Sequence, residues 1–218
     1  MTTDYLRKPA MLLLGPTGAG KTPLGQLLEK RGLPRGRCLH FDFGATLREV
    51  VERDAADAIL SRADVDFLRG VLESGALLEE RHFPIAERLL RSFLARHDAD
   101  GQSVIVLNGL PRHVGQARAL EPLLNVREVV HLACTEETVF QRIGSNVGGD
   151  RGERNDDSRV AVRRKLEIFG QRTAPLLEYY RARGTAVRQI MVGADTTAEQ
   201  MWHAVAGTTM PTDGKPWG

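Results

Sequence analysis

The chain has 218 residues, 42% hydrophobic and 27% charged, the make-up of a soluble globular protein with room for one sizeable core. Its 30 lysines and arginines against 28 acids leave a net charge of +2, too little to hold nucleic acid or a membrane surface by bulk electrostatics, so any cationic cluster must be local. Two cysteines, Cys38 and Cys134, have neither metal nor disulfide-framework spacing and suit a reducing cytoplasm, and the apolar run at 11–14 is too short for a signal peptide or a membrane span.

In chain order, that run at 11–14 reads as a strand, followed by Leu24, Leu27 and Leu28 on one helical face, with Pro23 tolerated in the first turn and Gly32 as a stop. A second strand is predicted over 39–43. About 60 residues then pass without a strand signal, and Ile85, Leu89 and Phe93 recur at helical spacing behind Pro84. This stretch is too long for a simple crossover, so a helical insertion is predicted over about 44–97. Further strands are predicted at 104–107, 129–134 and 187–192, several too continuously apolar to be half exposed, as buried parallel strands are. Thr135 can cap a helix whose first turn holds Glu136 and Glu137, where the dipole favours acids. Glycine and charge interrupt at 144–157 before a helical stretch that Pro175 divides, and the tail at 207–218 is expected to be disordered. Alternating strands and helices predict one three-layer α/β domain over 1–206 with a parallel, five-stranded sheet.

Between the first strand and its helix stands G-x-x-x-x-G-K-T, in Gly15, Gly20, Lys21 and Thr22. A loop of this kind, here Gly15, Thr17, Gly18, Ala19 and Gly20, closes backbone N–H groups on phosphate oxygens, and the helix N-terminus adds positive potential. Lys21 would reach the outer phosphates and Thr22 would offer a hydroxyl to Mg²⁺. Nearly all the cations are arginine, which suits forked phosphate recognition and is equally what a GC-rich genome produces. None of the six histidines has metal-ligand spacing beyond chance, and His113 reads as a surface or pocket-rim residue without chemistry.

"GPTGAGKT", "GLPRHVGQA" and "RNDD" followed by "TAPLLEYY" stand in the order and spacing of the adenylate kinase group of nucleoside monophosphate kinases, which the chain resembles over almost its whole length. The resemblance implies a P-loop fold with an acceptor-binding insertion and a short lid at about 143–155. It implies ATP as phosphoryl donor, Mg²⁺, small nucleotides as the partners and a monomer. AMP is the favoured acceptor, although CMP, UMP or a deoxynucleotide stays open, as does a non-catalytic nucleotide-binding or regulatory module.

Gly109, Leu110, Pro111, Arg112 and Gln116 resemble the family's G-F-P-R-x-x-x-Q, which implies that Arg112 clamps the acceptor phosphate and Gln116 meets the acceptor base. Gly44 and Arg48 match the acceptor-binding helix, but Phe43 and Ala45 stand where the family has threonine and aspartate. Arg142 matches the residue over the donor base, Arg154 the lid arginine, and Asp156 with Asp157 the acidic pair after it. Lys165 replaces a further arginine, keeping charge without the fork, and an earlier lid arginine is absent unless Arg151 substitutes. Asn108 occupies a place where phosphate-transferring enzymes carry an acid; it implies altered metal handling, with an amide oxygen left for hydrated Mg²⁺.

Overall fold

The computed structural model describes residues 7–34, 36–54, 59–97, 103–149 and 158–207. Arg151, Arg154, Asp156 and Asp157, and the tail beyond Gly207, lie outside the described residues.

Strands β1 (Lys8–Leu14), β2 (Cys38–Asp42), β3 (Val104–Asn108), β4 (Leu124–Ala133) and β5 (Ala186–Met191) form one sheet in the order β2-β3-β1-β4-β5. Every neighbouring pair is parallel. The chain leaves β1 toward β2 on one side and later returns to build β4 and β5 on the other, which opens a crevice above the C-terminal ends of the central strands.

Alternation along β1 divides the core in two. Ala10, Leu12 and Leu14 face helices α2 (Phe43–Glu52), α3 (Arg62–Ser74), α4 (Phe83–Arg96) and α5 (Val114–Leu120), through Leu47, Leu68, Leu90 and Leu120. Met11 and Leu13 face α1 (Lys21–Arg31) and α9 (Ala198–Ala206), through Leu24, Leu28, Met201 and Val205. Helices thus cover both faces, which is why the central strands are unbroken apolar runs.

All five strands differ from the sequence reading at a boundary, and two of the differences have a clear physical cause. The second strand stops at Asp42 and Phe43 opens α2, because Asp42 caps that helix, Oδ1 accepting from the Ala45 amide at 2.9 Å. The fourth strand begins at Leu124, where it pairs with Lys8 of β1, five residues before its apolar run. Asn125, Arg127 and Glu128 hide that half, although Glu128 is only 2% exposed and accepts a 2.7 Å bond from Arg188 Nε on β5.

Helix α6 (Glu136–Ser145) starts on the Thr135 cap. After it come α7 (Arg159–Ile168), a π-helical turn at Phe169–Thr173, and α8 (Leu176–Arg181) behind Pro175. No helix among the described residues is long and apolar enough to cross a membrane.

Candidate active site

The phosphate loop takes its shape from two glycines. A side chain on Gly15 would meet the Leu132 carbonyl oxygen at 2.7 Å, and Gly20 holds φ +92° as it turns the chain into α1. Lys21 folds over the loop, Nζ donating to the carbonyls of Gly15 at 2.8 Å and Pro16 at 2.7 Å.

At the foot of the loop, α1, β2 and β3 contribute one residue each to a closed triangle. The Thr22 hydroxyl donates to Asp42 Oδ2 at 2.6 Å, and Asn108 Nδ2 donates to Asp42 Oδ2 at 2.7 Å and to Thr22 Oγ1 at 3.0 Å. Sequence reasoning passed over Asp42, which looks like the polar interruption of an apolar strand. The signal was its position near the C-terminal end of a predicted parallel strand, the rim where such sheets bind their ligands. Asn108 thus presents its NH₂ to this cluster: a carboxylate accepts only, so the amide turns its donors inward.

A cleft of about 230 Å³ opens over these groups. The phosphate loop, Asp42 and Asn108 line it together with Arg48, Arg112 and Lys165, and Phe43, Leu47, Val71, Leu72 and Phe169 supply an apolar wall. Arg48 lies back toward Gly44, its Nη1 3.6 Å from where a Cβ there would sit. Arg112 is fixed through its backbone: its N–H donates to Gln116 Oε1 and its carbonyl accepts from the Thr173 hydroxyl, each at 2.8 Å. Burial lowers the Arg112 guanidinium from its usual value, and no acidic side chain among the described residues pairs with it. An anion in the cleft would offset that cost by favouring the charged form.

Three residues have different surroundings from those the sequence implies. Gln116 is 1% exposed, with Oε1 on the Arg112 amide and Nε2 donating to the Leu78 carbonyl at 2.8 Å, so in this structure it meets the chain instead of a base edge. His113 is a buried cap of α5 and not a rim residue: Nδ1 accepts from the Gln116 amide at 3.4 Å, and Nε2 bonds the same Leu78 carbonyl at 3.1 Å. Arg142 is 3% exposed and donates to the carbonyls of Gly18 at 2.9 Å, Gly193 at 2.8 Å and Thr196 at 2.8 Å. It ties the phosphate loop to the turn after β5.

The Gln116 geometry leads to a first prediction. Gln116→Leu removes the acceptor from the Arg112 amide, a loss of about 1–3 kcal/mol. The melting temperature should fall, by about 2–4 °C per kcal/mol at this length. The Michaelis constants for all monophosphates should rise together, because the clamp arginine loosens. A rise confined to AMP in steady-state assays would show that Gln116 reads the base after all.

A glycine-shaped phosphate cradle at the switch point of a five-stranded parallel sheet, with cations around an adjoining cleft, defines a P-loop nucleotide-binding protein of the phosphotransferase kind. No protein-family model matches the chain. The adenylate kinase of Synechococcus sp. (strain WH7803) is 36% identical over 186 residues, 83% of this chain and 88% of that protein. Adenylate kinase 1 of Nostoc sp. (strain PCC 7120 / SAG 25.82 / UTEX 2576) is 32% identical over 204 residues, covering 91% and 97%. The adenylate kinase of Stenotrophomonas maltophilia (strain R551-3) is 34% identical over 189 residues, covering 84% and 91%. The chain belongs to the adenylate kinase family, the nucleoside monophosphate kinases.

Proposed function

We propose that this protein transfers the γ-phosphoryl group of ATP to a nucleoside monophosphate, with AMP as the preferred acceptor, and that it works as a monomer in the cytoplasm. The observation that carries the reading is the single cleft shared by the phosphate loop and the cations Arg48, Arg112 and Lys165. Donor and acceptor phosphates both need such a lining, one to be cradled and the other to be clamped.

The chemistry asks for alignment and charge neutralisation more than for a base. The acceptor phosphate oxygen is already ionised at neutral pH; it bonds to the γ-phosphorus while the bond to the β–γ bridging oxygen breaks, and ADP departs with that electron pair. In this reading Lys21 and the loop amides hold the donor, while Arg48 and Arg112 hold the acceptor, with Lys165 offsetting transferred charge. Arg154 of the lid, with Asp156 and Asp157 just after it, would complete the closed site. The cation must suit the donors: the Thr22 hydroxyl with a carboxylate beside it is a hard oxygen set, and Mg²⁺ is typically held by one or two protein oxygens plus substrate phosphates. Bound there, Mg²⁺ would neutralise the β- and γ-phosphate oxygens.

A coupled assay of purified protein with ATP, Mg²⁺ and each monophosphate in turn tests this reading. AMP should give the highest kcat/KM. Absence of turnover with every monophosphate, alongside calorimetric binding of ATP, would make the protein a nucleotide-binding module instead.

A further inference from the structure

On the basis of the kinase reading, we infer that Asp42 is the metal-side acid of this site and Asn108 its brace, so that the carboxylate stands one strand over from the place the family resemblance assigns it. Asp42 and Asn108 are register partners across the parallel β2–β3 pair, each the last residue of its strand. Both therefore deliver their side chains to the same spot on the sheet's C-terminal rim, beside the first turn of α1.

The hydrogen bonds assign the roles. Thr22 gives its proton to Asp42 Oδ2 and accepts from Asn108 Nδ2, which leaves its oxygen one lone pair for a cation. Asp42 polarises that hydroxyl and fixes its rotamer, while Asn108 holds Asp42 with a second donor. An acid at 108 as well would set two carboxylate oxygens where Nδ2 and Oδ2 now lie 2.7 Å apart. Like charges at that separation cannot both ionise freely. The amide at 108 is thus the natural partner of an acid at 42, and the site retains one negative charge. The same carboxylate also caps α2 at the Ala45 amide.

Asp42 is a positioning residue, acting through Thr22 and the metal's hydration shell. Calorimetric titration of the full-length protein with ATP, in excess Mg²⁺ and in EDTA, separates metal-dependent affinity from the rest. Asparagine caps helices as well as aspartate does, so Asp42→Asn should keep α2. It is expected to lose about tenfold or more of the affinity gained on adding Mg²⁺, without weaker binding of metal-free ATP. Asp42→Asn combined with Asn108→Asp should regain that gain, because one acid is back in the triangle. Asn108→Asp alone should lower the melting temperature of the metal-free protein, and the double variant should melt higher.

If Asp42→Asn keeps the whole Mg²⁺ gain, or the double variant melts no higher than Asn108→Asp, the assignment of Asp42 is overturned while a turning-over wild type keeps the kinase reading intact. A wild type that neither binds ATP nor transfers phosphate overturns both.

Discussion

Lys21→Met is expected to leave a folded protein whose phosphoryl transfer is slower by about a thousandfold or more, roughly 4 kcal/mol of transition-state stabilisation. Lys21 is the first residue of α1 and lies outside both apolar clusters, so methionine, which is similar in length, costs the core nothing. What it removes is a cation with two short bonds to the loop's own carbonyls, at Gly15 and Pro16. Those bonds draw the ammonium across the cradle that the loop amides form, where the outer phosphates of a nucleotide would lie. The effect should appear in kcat as well as in ATP affinity, because charge shifts toward the leaving ADP as the γ-phosphoryl group departs. Circular dichroism melts would establish that the variant is folded. Near-normal turnover in a folded Lys21→Met protein would remove the phosphate-loop assignment.

The parts of this molecule that show in its sequence are those whose physics is local. A strand buried on both faces is an unbroken apolar run, so β1 and β3 are visible, and the glycines of a phosphate loop are demanded by backbone geometry at their own positions. β4 is only half visible, because Glu128 breaks its run and is reconciled with burial by Arg188, 60 residues away on the next strand. Asp42 illustrates the same limit in the site. Its meaning comes from register with Asn108 and from reach to Thr22, and neither separation, 66 or 20 residues, leaves a periodic trace. Gln116 and Arg142 carry side chains suited to ligands, yet the structure engages both with backbone groups far along the chain. Residue type states what a side chain can bond, and only the fold decides which partner arrives first.

Arg112→Ala is expected to lower kcat at saturating acceptor by about a hundredfold or more, since one preorganised electrostatic contact to the transition state is typically worth ~3 kcal/mol. Two observations support so large an effect. Gln116 and Thr173 pin the Arg112 backbone from either side, so the guanidinium swings from a fixed base. Burial also disfavours its charge without an acidic partner among the described residues, a cost that an acceptor phosphate in the cleft would offset. Arg112→Lys separates charge from shape. If the planar fork matters, lysine should recover only part of the lost rate while restoring the net charge in full. The pinning bonds use backbone atoms and survive both substitutions, so the melting temperature should hold nearly steady or rise slightly as the desolvated charge leaves. An unchanged kcat in Arg112→Ala at saturating AMP would mean that the acceptor phosphate is clamped elsewhere, and Arg48, on the same cleft, would be the next residue to replace.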